Sequence, residues 1–281
     1  MTETGSTQSG RVDPVFVEDP GDPRLSPFTA MTDEALRRHR ESPAGDLAGR
    51  FICEGHLVTE RALAAGLTPE AVLVPSDQIR RLPEFPAETP VFAGSAELVE
   101  SVTGYHIHRG FLALFRRPVT LSVADLVADG RRLLATENVT NPTNLGAIVR
   151  SAAALGMDGL LLDPTSCDPL YRRVVRVSMG AVFALPHARL DPLPDGLGVL
   201  REAGFRLVAL SADPGATPID SLQMSERMAL VLGAEGPGLS ADTLEMVDES
   251  VRIPMRAGID SLNVAAAAAI AAYVIGEPGL S

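Results

Sequence analysis

Read as a string of apolar and polar positions, the chain changes character more than once. Up to Pro23 it is polar and interrupted by Gly and Pro, with no periodic apolar face, so residues 1–23 are expected to be a disordered tail. Amphipathic stretches such as LVTERALAAG (57–66) then alternate with short apolar runs such as AVLVPS (71–76) and TPVFAG (89–94), which predicts a small α/β domain over 24–117. Residues 118–130 read as a linker with some helix. A second alternation fills 131–281, with strands expected at RLLATE (132–137), GLLLDP (159–164), FRLVALS (205–211), MALVLGAE (228–235) and ESVRIP (249–254). Apolar strands separated by helical segments predict an α/β fold built on a mostly parallel sheet with both faces covered.

In such sheets ligands sit beyond the carboxyl ends of the strands, so three loops carry the chemistry. The first opens ENVTNPTNLGAIVRSAAALG (137–156), where Asn141 suits a helix N-cap, Pro142 the first helical position and Gly156 the stop. Leu145, Ile148, Val149, Ala152 and Leu155 form its apolar stripe. Arg150 lies off that stripe, beside Gly146, Ala147, Ala153 and Ala154, which are too small to cover it. An arginine in cleared space suits a ligand, and the plain alternative is a side chain reaching into solvent. The second loop, in LVLGAEGPGLS (230–240), places Gly233, Gly236 and Gly238 around Glu235, so its backbone can approach a partner closely. The third lies in VRIPMRAGIDSLNVAAAAAIAAYVIG (251–276), where Asp260 or Ser261 is expected to cap a final helix with Asn263 in its first turn.

Composition narrows the class. The chain has 281 residues, of which 46% are hydrophobic, enough for two domains with real cores. No apolar run reaches the roughly 20 residues of a membrane span, and the N-terminal stretch lacks a secretory apolar segment, so no membrane partner is expected and a cytoplasmic location is. Cys53 and Cys167 are far apart without metal-ligand spacing; both are read as small buried hydrophobes, and neither a disulfide nor a metal site is expected. The net charge is −12, yet all 24 basic residues are arginine. Arg109, Arg116, Arg117, Arg131 and Arg132 cluster near the expected domain junction, and Arg172, Arg173 and Arg176 form YRRVVR, so a local positive surface for RNA is weighed against solvated helix faces. No G-x-G-x-x-G follows the first strand of the second region, no P-loop is present, and there is no G-x-S-x-G elbow.

NPTNLGAIVRSAAALG, LVLGAEGPGLS and IPMRAGIDSLNVAAAAAI, in that order, resemble the three signature motifs of the SpoU (TrmH-like) RNA ribose 2′-O-methyltransferases of the SPOUT superfamily, over about residues 130–276. RFICEGHLVTERALAAG and VTGYHIHRGFLAL resemble the L30e-like RNA-binding domain that often precedes them. The resemblance implies a trefoil-knotted catalytic domain, S-adenosylmethionine as cofactor, rRNA or tRNA as substrate, and a homodimer. Carried over by position, Gly233, Ile253 and Leu262 contact the cofactor, Leu210, Ser211 and Met255 line the same pocket, and the loop with Glu235 and Gly236 forms one wall, the role of Glu235 being open. Arg150, Asn144, Ser261 and Asn263 fall on the catalytic positions. Two alternatives stand beside this reading: a non-enzymatic RNA-binding protein that retained the fold, and a methyltransferase acting on a non-RNA substrate.

Overall fold

Strand β6 (Arg132–Thr136) is buried along its whole length, as an apolar strand must be when it has neighbours on both sides and helices above and below. The computed structural model that shows this describes residues 13–36, 40–41, 44–107, 110–256 and 261–276. They divide into two compact units: one spans residues up to Pro118 together with Leu170–Gly180, the other Val119–Pro169 with residues from Ala181 onward.

The first unit is built on a five-stranded sheet of β1 (Val15–Phe16), β2 (Arg50–Glu54), β3 (Pro69–Pro75), β4 (Val91–Gly94) and β5 (Leu112–Arg116), in the order β1-β4-β3-β5-β2. β1, β4 and β3 run parallel, whereas β5 pairs antiparallel with both β3 and β2. Short helices α1 (Asp33–Ala35), α2 (His56–Ala64) and α3 (Ala96–Thr103) accompany the sheet, and α3 begins at Ser95, whose side chain accepts from Leu98 N at 3.2 Å. The core contains Leu25, Phe28, Ile52, Leu73, Val99 and Leu114. Val15 and Phe16 pair with Phe92 and Ala93, which corrects the expectation of disorder for the described part of the tail: two apolar residues extend a sheet edge, a gain no periodicity over so short a run can announce.

In the second unit, α4 (Val123–Asp129) starts with a capping box in which Ser122 accepts from Asp125 N and Asp125 returns the contact. Leu126 and Val127 are buried with Leu133, Leu161 and Leu207, so the segment expected to be a linker is a core element of this unit. The chain continues through β6, α5 (Pro142–Ala154), β7 (Gly159–Leu162), α6 (Arg172–Val177, which belongs to the first unit), β8 (His187–Arg189), α7 (Gly198–Glu202), β9 (Arg206–Leu210), β10 (Thr217–Pro218), β11 (Met228–Leu232), α8 (Ala241–Met246), β12 (Glu249–Arg252) and α9 (Val264–Ile275). The seven-stranded sheet has the order β10-β12-β9-β11-β6-β7-β8 and is parallel throughout its pairings. β8 and β10, at its two edges, are short and were not among the expected strands. α5 packs against α9, which brings the first and third motifs together. No helix among the described residues is long and apolar enough to cross a membrane.

The arginines resolve unevenly. Arg172 is 4% exposed within the first unit: its guanidinium donates to Glu54 Oε2 at 2.8 Å and to Asp33 Oδ1 at 2.6 Å, and lies over the Tyr105 ring. Arg132 is buried and donates to Glu226 O at 2.7 Å. Neither belongs to an RNA-facing surface, because a buried guanidinium with a carboxylate or carbonyl partner is committed to the fold. Arg116 is exposed and shares Glu70 with Arg50. Arg109 lies outside the described residues. Cys53 is fully buried, and burial pushes its thiol well above the ordinary range, whereas Cys167 is only half-buried.

Candidate active site

The site grows from the carboxyl ends of β6, β9, β11 and β12 in the second sheet, with the end of β7 bracing the first of them. At the end of β6 the chain turns through Asn138, whose φ is +57°, and its N–H donates to Asp163 Oδ1 at 3.0 Å. Asp163, at the end of β7, also accepts from the backbone N–H groups of Thr165 and Ser166. Burial acts to raise its pKa, but the bonds from Ser166, Thr165 and Asn138 outweigh it and hold the carboxyl below its usual value. The turn delivers Asn141, whose side chain accepts from Thr143 N at 2.9 Å, and Pro142 then starts α5 as the sequence predicts. Gly156, with φ +79°, follows its end.

α5 buries Leu145, Ile148, Val149 and Ala152 and leaves Arg150 exposed. Asn144, on the same helix, is 6% exposed and does the opposite of a surface amide. Its Nδ2 donates to Glu235 Oε2 at 2.8 Å, and its Oδ1 accepts from Asn263 Nδ2 at 3.1 Å. Asn263 Nδ2 also donates to Glu235 Oε1 at 3.1 Å. One residue from each motif closes a three-membered polar ring, and this answers what Glu235 does: both of its oxygens tie the glycine loop to α5 and to the start of α9. Asn263 is itself the N-cap of α9, its Oδ1 accepting from Ala265 N at 3.0 Å, so the cap falls on Asn263 rather than on Asp260 or Ser261. Asp260 lies outside the described residues.

The glycine loop turns at Gly236 (φ +94°) and Gly238 (φ +73°) and folds back so that Gly238 N donates to Ala234 O at 3.0 Å. A Cβ on Gly233 would lie 2.2 Å from the Gly238 carbonyl carbon, so no other residue fits there. This loop, the ends of β9 and β12, and the start of α9 surround one cleft. Leu210, Ser211, Gly233, Glu235, Gly236, Ile253, Met255 and Leu262 all line it, as do Ser261 and Asn263. Arg150 and Asn144 are not among its lining residues; Asn144 stands behind it through Glu235, and Arg150 has no hydrogen bond or ion pair among the described residues. Sequence reasoning missed Ala212 and Ala267, which line the cleft without a polar group to signal them, and Glu137, whose contacts are all distant in sequence.

A parallel α/β sheet with a glycine-walled cleft beyond its strand ends, and polar side chains gathered at one helix start, is the arrangement in which α/β proteins bind small organic ligands. Residues 131–273 match the SpoU rRNA Methylase family, and the chain belongs to that family. It is 42% identical over 260 residues to an uncharacterized tRNA/rRNA methyltransferase of Mycobacterium bovis, covering 91% of this chain and 89% of the relative. It is 30% identical over 224 residues to the 23S rRNA (guanosine(2553)-2′-O)-methyltransferase RlmP of Bacillus subtilis, covering 79% and 87%. Among solved structures, the AdoMet-bound rRNA methyltransferase from Sinorhizobium meliloti superposes with a TM-score of 0.75 at 25% identity, over 94% of this chain and 97% of that one. The AdoMet complex of AviRb from Streptomyces viridochromogenes gives 0.72 at 25% identity, over 90% and 97%.

The enzyme is therefore a methyltransferase and its cofactor is S-adenosylmethionine. The cleft suits that molecule. Leu210, Ile253 and Leu262 offer apolar surface for an aromatic ring, Ser211 and main-chain groups offer hydrogen bonds, and Glu235, the one carboxylate among the lining residues, suits a cation.

Proposed function

We propose that this protein transfers a methyl group from S-adenosylmethionine to a ribose 2′-hydroxyl of structured RNA, either rRNA or tRNA, and that it does so as a homodimer. The observation that carries the reading is the Asn144–Glu235–Asn263 ring, which unites the three motifs beside the cofactor cleft. The reactions named for RlmP and the other relatives support it.

S-adenosylmethionine, when bound, supplies an electrophilic methyl on a sulfonium centre. Gly233, Gly236, Leu210, Ser211, Ile253, Met255 and Leu262 would hold it in the cleft. The chain's own task is to align a ribose oxygen with that methyl and to stabilise the oxygen as its proton leaves, and positioning of this kind is worth up to about 7–11 kcal/mol in favourable cases. Arg150 is exposed and keeps its guanidinium free for RNA. With a pKa above about 12 it is a poor proton acceptor, so it acts as a clamp on an adjacent phosphate and a stabiliser of the developing alkoxide. The ribose proton leaves either directly to water or through Ser261, exposed at the cleft, whose hydroxyl takes it up while giving its own proton to water. Asn144 and Asn263 fix the geometry around Glu235.

The first unit is the RNA-binding part of this proposal, an L30e-like domain, with its mixed sheet and exposed arginines Arg50 and Arg116 in support. The trefoil knot is a further part. The placement of β12 beyond β9, followed by the return of α9 against α5, supports it. Dimerisation is assigned to α9, whose Ile270 and Tyr273 are exposed together with Leu262 just before it. Sedimentation showing only a 29.6 kDa species at micromolar concentration would remove that interface.

The decisive experiment replaces only the target nucleotide of a mapped RNA substrate by its 2′-deoxy form. Methyl transfer should disappear while most binding persists, because phosphate contacts are untouched. Alkaline hydrolysis of fully modified RNA should show a gap at the same nucleotide, since a methylated oxygen cannot attack the chain. Continued labelling of the deoxy substrate would mean that a base is methylated.

A further inference from the structure

The glycine loop is held at both ends by one residue that lies outside the cleft. Glu137 follows β6 directly. Its backbone N–H donates to Leu232 O at 2.8 Å, where β11 ends and the loop begins. Its carboxylate takes the other end: Oε2 accepts from Ser240 N at 2.9 Å, and Oε1 accepts from Ser240 Oγ at 2.7 Å and from Thr243 Oγ1 at 3.0 Å. Ser240 is in turn the N-cap of α8, accepting from Thr243 N at 3.2 Å. The carboxylate therefore accepts three hydrogen bonds from residues more than 100 positions away, and charged acceptors make the stronger hydrogen bonds.

Glu137 is well placed to act as an anchor. It is half-buried, the strand it follows is a buried interior strand of the sheet, and the turn after it is fixed by the bond from Asn138 N to Asp163. The segment it closes holds Gly233, Glu235 and Gly236, all of which line the cleft. Gly236 and Gly238 take positive φ, so the loop between the two fixed ends has a backbone that many conformations could otherwise rival. Holding both ends removes most of those rivals before any ligand arrives, and a wall ordered in advance costs the ligand less to bind.

We propose that Glu137 is a positioning residue for the methyl-donor pocket: it touches neither cofactor nor RNA, and sets cofactor affinity by stapling the loop from Leu232 to Ser240. The inference rests on the cofactor assignment and goes beyond it. A role confined to capping α8 would lower stability and leave the pocket's affinity alone in the folded enzyme.

The test uses the full-length protein and S-adenosylmethionine itself, by calorimetry and steady-state kinetics. Glu137→Ala should weaken cofactor binding by about tenfold or more and raise the KM for S-adenosylmethionine in step, with the KM for RNA unchanged and kcat at saturating cofactor within about threefold. Glu137→Gln keeps an acceptor for the hydroxyls but sets an NH2 against Ser240 N–H, and should fall between wild type and Glu137→Ala. Ser240→Ala should weaken binding less, and adding it to Glu137→Ala should cost little more, since both act through one contact. Hydrogen exchange should quicken over residues 233–243 and not across β6. Should Glu137→Ala not fold, Ser240→Ala and Thr243→Val carry the test with the same cofactor-specific loss expected. Wild-type cofactor affinity in all the folded variants would overturn the proposal, as would equal losses toward cofactor and RNA. A wild-type protein that bound no S-adenosylmethionine would instead strike the cofactor assignment, and the Glu137 role with it.

Discussion

Asn144 Nδ2 donates to Glu235 Oε2 at 2.8 Å, joining helix α5 to the glycine loop across 91 residues of chain. Asn144 is buried, so its removal leaves Glu235 and Asn263 each short of a partner. Such a loss costs about 1–3 kcal/mol. Asn144→Ala and Glu235→Ala should each cut kcat/KM by at least about tenfold, and the double variant should lose far less than the sum, with a coupling of about 0.5–3 kcal/mol. A double-mutant cycle on cofactor affinity and turnover measures it; additive losses would dissolve the ring as a functional unit.

Arg150 presents the contrary case of a side chain on which the fold does not depend. It is exposed and has no hydrogen bond or ion pair among the described residues, so Arg150→Ala should change unfolding free energy by no more than about 0.5 kcal/mol. Turnover should vanish while S-adenosylmethionine affinity stays nearly that of wild type. A normal single-turnover rate in this variant would end its catalytic assignment.

Gly233→Ala tests the wall of the cleft. The added methyl would lie 2.2 Å from the Gly238 carbonyl carbon, a contact with backbone that no rotamer change relieves. The loop must shift, and cofactor binding should fall below detection by calorimetry. Because the loop is at the surface, the far-ultraviolet circular dichroism should remain that of the wild type.

Arg172→Ala should act on stability rather than on RNA. Glu54 is fully buried and would keep only the longer contact to Arg176, 3.3 Å, among the ion pairs described. Breaking a buried pair by removing one partner costs about 3–5 kcal/mol. A lower unfolding temperature with an unaltered salt dependence of RNA binding is expected, and a flattened salt slope at wild-type stability would restore Arg172 to the RNA surface.

Asp163 carries a pH signature. Its folded pKa is lowered, so its contribution to stability is fully present above the ordinary aspartate value of about 3.9 and is lost as pH falls through the folded value. Asp163→Asn should be destabilised at neutral pH, and its deficit against wild type should shrink as pH drops below about 4. Urea unfolding across that range reads the difference directly, and a deficit constant with pH would contradict the assigned bonds.

Much of this was legible in the residues alone. The five interior strands of the second unit, the Asn141–Pro142 start of α5 and the glycine loop are local facts: apolar runs, an N-cap, a proline at the first turn and positive-φ positions depend on neighbours within a few residues. The family motifs likewise marked the cleft residues, since their order along the chain is itself information. What failed were features with short or distant causes. Val15–Phe16 joins a sheet edge, α4 is drawn into the core by Leu126 and Val127, and α9 is capped by Asn263 rather than by its neighbours. Which elements form, and which loops lie at their carboxyl ends, can be read from the residues because both follow from periodicity and turn chemistry. That Arg172 is buried against Glu54, and that Glu235 holds Asn144 and Asn263 with Glu137 closing the loop around it, is set by the packing of distant segments. Each of those contacts joins residues 28 to 118 positions apart, where charge and hydrogen-bonding capacity show what a side chain can bind but not which partner the fold will bring to it.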